Sequence, residues 1–108
     1  MIENFRQLQS EIVQRLLPLN PDKIVLFGSY AYGNPDDESD IDLFLMKSIP
    51  REQSRNYILQ ARKRLRDLVF LYHIGFDILT APEEFITRRQ DTFYQEDILK
   101  KGKVLYAK

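Results

Sequence analysis

The 108-residue sequence has no cysteine and a single histidine, His73. The first absence excludes disulfides, thiolate zinc sites and cysteine nucleophiles, and the second excludes a metal site built from several histidines. A chain without cysteine also fits a reducing compartment. No apolar run approaches the length of a membrane span. Residues 1–10 carry Glu3, Asn4, Arg6 and Gln7 where a secretory signal would need an apolar core. The expected location is therefore cytoplasmic. Nor does charge of one sign prevail, since 16 Lys+Arg stand against 16 Asp+Glu. A neutral chain has no global pull toward nucleic acid or an anionic membrane, so any such attraction must be local.

What is present argues for a folded domain. An apolar content of 44% and an aromatic content of 12% are too high for disorder. The length predicts one domain spanning 1–108, with a real core but little mass for a second lobe.

Residues 2–17 place Ile2, Phe5, Leu8, Ile12, Val13, Leu16 and Leu17 at spacings of three and four, the stripe of an amphipathic helix. Pro18 and Pro21 end it. Lys23-Ile24-Val25-Leu26-Phe27 reads as a buried strand bounded by Gly28-Ser29. Residues 33–39 are loop by composition. Ile41 to Met46 reads as a second strand, with Asp40 and Asp42 on one side near its start because side chains alternate. A helix is expected over 51–72, with Ile58, Ala61, Leu65, Leu68, Val69 and Tyr72 as its apolar stripe. Phe76-Asp77-Ile78-Leu79 reads as a third strand with an acid between large apolar residues. Pro82-Glu83-Glu84-Phe85 opens a helix. Residues 91–101 form another, capped by Gly102, and Val104-Leu105-Tyr106 is a last strand. The expected fold is α/β (α+β): one mixed sheet of about four strands packed with helices.

Three acids carry the chemistry. If their strands are neighbours, Asp40, Asp42 and Asp77 converge on one end of the sheet. Gathered carboxylates repel one another and raise their own pKa values unless a cation intervenes. A donor set of hard oxygens without His or Cys suits Mg²⁺, or Mn²⁺, rather than zinc. Two such ions are suited to phosphoryl transfer. Just upstream, Gly28-Ser29 ends a strand; Gly lets a backbone N–H approach a phosphate, and Ser adds a donor.

Phe27-Gly28-Ser29-Tyr30-Ala31-Tyr32-Gly33, followed by Ser39-Asp40-Ile41-Asp42-Leu43, resembles the Gly-Ser…Asp-x-Asp signature of the DNA polymerase β-like nucleotidyltransferases. Within that superfamily the chain is similar to the minimal nucleotidyltransferase (MNT) group, which includes antitoxins paired with HEPN-domain toxins. The resemblance runs along essentially the whole chain, to the closing residues 99–106. It implies that Gly28, Ser29 and Tyr32 bind the nucleotide, that Asp40 and Asp42 ligate two Mg²⁺ ions, and that Asp77 completes the catalytic ion site and helps deprotonate an acceptor hydroxyl. It implies ATP as substrate, AMP as the group transferred, and a tyrosine hydroxyl of a HEPN-type RNase toxin, encoded next to the chain, as acceptor. Many antitoxin members carry Arg where this chain has Tyr32, which can support phosphates only by a hydrogen bond.

Plainer readings stand beside these. Asp36, Asp37 and Glu38 read as solvated loop acids, and His73 as a corner residue. Tyr30 and Tyr32 lie where they could stack on a base. Residues 51–66 hold six cations and one acid, Glu52. They are either a solvated face or a docking surface for an acidic partner or RNA. The alternative functions are an antitoxin that neutralises its toxin by binding alone, and a nucleic-acid-binding domain. The latter is disfavoured because no exposed aromatics interleave with the cations.

Overall fold

Four apolar runs become the strands of one sheet, each short enough to cross it once. The computed structural model describes residues 4–36 and 38–108. Helix α1 (Phe5–Leu16) starts at Asn4, whose side chain accepts the Gln7 N–H, and runs into a 3₁₀ turn at Leu17–Leu19. Pro18 in that turn has no N–H to continue the ladder. Strand β1 (Lys23–Phe27) is followed by a one-turn helix α2 (Ser29–Tyr32), then β2 (Ile41–Met46). A 3₁₀ turn at Arg51–Gln53 leads into α3 (Ser54–Tyr72), the longest helix. Then come β3 (Phe76–Ala81), α4 (Glu83–Arg88), a π-helix (Phe93–Lys100) and β4 (Lys103–Ala107).

The sheet order is β3-β2-β1-β4. β1 is antiparallel to both β2 and β4, whereas β2 and β3 are parallel. That parallel pair needs a crossover, and α3 supplies it. The result is a single α/β domain with a mixed four-stranded sheet.

Alternation along the strands divides the core. Ile24, Leu26, Ile41, Leu43, Leu45, Phe76 and Ile78 point to one face and pack under α1 and α3. Val25, Phe27, Phe44 and Met46 point to the other, where Ile86 of α4 and Ile98 of the π-helix cover them. The first cluster is the main core and the second is smaller. Ala61, Leu65 and Leu68 are buried on α3 as its stripe requires, joined by Tyr57.

Some expectations are corrected. Leu17 is 41% exposed and Val69 36%. Leu17 has left α1 for the 3₁₀ turn, and Val69 lies on the side of α3 away from the α1 contact. The last helix is wound as a π-helix. Gly102 does not cap it in a left-handed conformation. A Cβ at Gly102 would lie 2.3 Å from the Ile98 carbonyl oxygen and 2.7 Å from Val25 Cγ1. Gly102 is therefore needed for the close approach of the π-helix end to β1. Ile2 and Asp37 lie outside the described residues. Among the described residues no helix is long and apolar enough to cross a membrane.

Candidate active site

The main-core face takes Ile41 and Leu43 from β2, and Phe76 and Ile78 from β3. Alternation therefore sends Asp40, Asp42 and Asp77 to the opposite face. The parallel register sets Asp42 beside Asp77, and the antiparallel register sets Asp42 beside Phe27, the last residue of β1. Three chain segments thus meet at one end of the sheet: the exit of β1 and the entries of β2 and β3.

Two glycines make room for the acids. Gly28 has φ +75 and ψ −162, a conformation essentially confined to glycine. A Cβ there would fall 2.0 Å from Asp42 Oδ2. The Asp42 carboxylate therefore lies against the bare backbone of the β1–α2 turn. Gly75 does the same for the second acid, since its Cβ would fall 2.7 Å from Asp40 Oδ1. The Gly75 carbonyl also accepts the Ile41 N–H at 2.9 Å, fixing the start of β2.

Asp42 feels this crowding. Burial, the charge and hydrogen-bonding contact of Asp77, and the charge of Asp40 push its carboxyl up to about 6. Carboxylates gathered this way repel one another unless a cation intervenes. Among the described residues no three His, Cys, Asp or Glu side chains close around an ion position. The acids form an open set. Their oxygen-only chemistry fits Mg²⁺, which ordinarily takes one or two carboxylates together with substrate phosphates rather than a closed protein cage.

The turn after β1 is wound by local contacts. The Gly28 carbonyl accepts the N–H of both Ala31 (3.0 Å) and Tyr32 (3.1 Å), winding α2 tightly, and Gly33 at φ +89 closes it. The Ser29 hydroxyl makes no hydrogen bond among the described residues. Ser39 and Asp36 brace the approach to Asp40. The Ser39 hydroxyl accepts the Asp36 N–H at 2.9 Å and donates to Asp36 Oδ1 at 3.1 Å. Asp36 is therefore a loop clip rather than a purely solvated acid.

Tyr30 and Tyr32 part company. Tyr30 stacks on Phe5 at 5.1 Å and packs against the main core. Tyr32 is 41% exposed and donates its hydroxyl to the Asp97 carbonyl at 3.3 Å. Burial, then Asp97, holds the Tyr32 phenol above its ordinary range. The Lys101 ammonium sits over its ring, 5.7 Å from the centroid. Sequence reading missed Gly75 and Lys101. Gly75 stands two residues before Asp77, a spacing that gains meaning only once β2 and β3 are paired. Lys101 lies in the closing segment, far from the motif in the chain. His73 takes the left-handed conformation that ends α3 and lies exposed at that corner.

A family described as "Polymerase beta, Nucleotidyltransferase" matches residues 7–108. Two relatives come from Methanocaldococcus jannaschii. "Putative protein adenylyltransferase MJ0141" is 34% identical over 83 residues, 76% of each chain. "Putative protein adenylyltransferase MJ0604" is 29% identical over 84 residues, 78% of this chain and 77% of that one. Among solved structures, a toxin–antitoxin crystal structure with AMP-PNP superposes with a TM-score of 0.60 and 19% identity, over 93% of this chain and 73% of that one. A mutant of the MntA-HpeT toxin–antitoxin gives a TM-score of 0.60 at 18% identity with the same coverage. At these identities the solved structures speak to the fold.

Proposed function

The chain belongs to the polymerase β nucleotidyltransferase family, and from that premise we propose that it transfers AMP from ATP to a protein hydroxyl, as the antitoxin of a toxin–antitoxin pair. The observation that carries this reading is the meeting of Asp40, Asp42 and Asp77 on one face of the sheet beside Gly28-Ser29. The names of the two archaeal relatives support a protein acceptor, and the AMP-PNP in a structural neighbour supports an adenine triphosphate as donor. The partner is a HEPN-type RNase toxin and the acceptor a tyrosine, as the resemblance to the MNT group implies.

Each residue then has a task. Gly28 and Ser29 hold the triphosphate with a backbone approach and a hydroxyl. Lys101, over the Tyr32 ring, brings the positive charge that many relatives obtain from Arg at the Tyr32 position. Asp40, Asp42 and Asp77 would hold divalent cations together with the phosphates. Once bound, such cations neutralise the acids and the triphosphate and stabilise charge that develops during the displacement. Asp77 takes the proton of the acceptor hydroxyl. The acceptor oxygen bonds to the α-phosphorus as the bond to the β-phosphate oxygen breaks, and pyrophosphate leaves. Positioning and charge complementarity supply the catalysis.

The test uses ATP labelled at the α-phosphate, Mg²⁺ and the HEPN-type protein encoded beside the chain. Label should pass to a tyrosine of that protein with the wild type and not with the Asp40→Asn, Asp42→Asn double variant. Absence of transfer by the wild type, or equal transfer by the double variant, would sink the reading. Rescue from toxicity by the double variant would instead identify neutralisation by binding alone.

A further inference from the structure

Resting on the reading that the acceptor is a protein, we propose that the outward face of α3 is its docking surface and takes a helix whose apolar ridge is flanked by Asp and Glu. Leu59, Arg62, Lys63, Arg66, Val69 and Phe70 line an open groove of about 350 Å³ along α3. Their spacing of three and four puts them on one face of the helix. It is the face that neither the sheet nor α1 uses. On the other flank Asp67 pairs with Arg15 of α1 at 2.7 Å and Tyr72 donates to Glu11 at 2.7 Å, while Leu71 beside them is exposed.

Two properties of the groove select the partner. Its apolar members are exposed far beyond what a monomer needs, with Phe70 at 72%, Leu59 at 49% and Val69 at 36%. Apolar side chains held at both ends of an open groove gain free energy by meeting another apolar surface. Its cations lack acids, because none of the six lining residues is Asp or Glu. Lys63 and Arg66 make no hydrogen bond or ion pair among the described residues. Carboxylates on a partner supply what they lack. RNA would answer the charges but leave Phe70, Leu59 and Val69 wet, so the observations favour a protein.

The groove also borders the edge of the sheet at β3. Arg62 Nη1 donates to the Phe76 carbonyl at 3.2 Å, one residue before Asp77. β3 is an edge strand, and Leu79 on it is 41% exposed. A helix seated on α3 therefore borders the edge strand whose opposite face carries Asp77.

The test uses three labelled probes: a synthetic amphipathic helix with Leu at helical spacing and Glu on both flanks, the same helix with Lys on its flanks, and a single-stranded RNA. Fluorescence anisotropy with the intact protein should rank the Glu-flanked helix first, with affinity falling as salt rises. Lys63→Glu with Arg66→Glu should weaken that helix by about tenfold and favour the Lys-flanked one, since like charges now face each other. Phe70→Ser should weaken both helices by about tenfold through lost apolar burial. Asp42→Asn should leave helix binding intact while label transfer is lost, which separates docking from chemistry. Binding of the Glu-flanked helix with no AMP transfer by the wild type would sink the catalytic reading and leave this surface standing. No helix binding, RNA binding more tightly than the Glu-flanked helix, or unchanged affinities in the surface variants would overturn the proposal. Far-UV circular dichroism of the variants confirms that they fold.

Discussion

Asp42 is the residue at which fold and chemistry conflict. Its carboxyl is raised from the ordinary 3.8 to about 6 by burial and by Asp77 and Asp40. The folded state therefore binds a proton more tightly than the unfolded state. Between these two values the native protein holds more protons, so its stability falls as pH rises from about 4 to about 6. The site faces solvent, so after screening this amounts to on the order of 1 kcal/mol. Asp42→Asn should flatten that pH dependence in chelator and raise the melting temperature at pH 7, while abolishing AMP transfer. Thermal melts from pH 4 to 8 check the first half and the label assay checks the second. An Asn variant melting below the wild type at pH 7 would contradict the account. Asp40 and Asp42 were legible from the sequence because alternation along a strand is local. Gly75 was not, because its role is to leave space for a side chain on another strand.

At the scale of elements, the joint between β1, α2 and β2 determines how closely the acids approach the Gly28-Ser29 turn. Gly28 serves this joint twice, through a backbone conformation that side chains avoid and through the space that Asp42 fills. Gly28→Ala should cost about 1–3 kcal/mol from backbone strain alone, and should also displace Asp42 and stop transfer. Gly33 is the natural comparison. Its φ is +89, but a Cβ there meets nothing within 4 Å. Gly33→Ala should lower stability by about 1 kcal/mol and keep most of the activity. Melting curves and transfer rates of the two variants separate strain from steric displacement. Equal loss of activity in both would show that the Asp42 contact is not the cause. Element type was legible for the strands, whose runs are short and β-branched. The π-winding of residues 93–100, which pack Phe93 and Ile98 under the sheet, was not, since no local pattern marks it.

At the scale of the whole molecule, a formally neutral chain is polarised. Asp40, Asp42 and Asp77 lie on one face of the sheet, while α3 carries its cations over the other. Neutral totals thus hide two surfaces of opposite sign. On the proposed reading, the acidic one would take divalent cations together with substrate phosphates, which complete an open set of carboxylates. Mg²⁺ with AMP-PNP should therefore raise the melting temperature well beyond either ligand alone. Saturation at a hundredfold excess over Kd corresponds to about 2.7 kcal/mol. The Asp40→Asn, Asp42→Asn variant should show no such shift in differential scanning fluorimetry, and an equal shift there would place the nucleotide elsewhere.

The sequence by itself determined the apolar periodicities, the Gly-Ser turn after β1 and the side-by-side placement of Asp40 and Asp42. These are properties of neighbouring residues in one chain segment. Only the tertiary structure decided that Asp77 faces Asp42, because that depends on the parallel register of β3 against β2 across the α3 crossover. It also decided that Tyr30 enters the core while Tyr32 meets Lys101. Likewise, the face of α3 bearing Val69 and Phe70 stays open because α1 and the sheet pack against other faces of the helix. Periodicity tells how many faces a helix has, but packing against other elements determines which of them reach water.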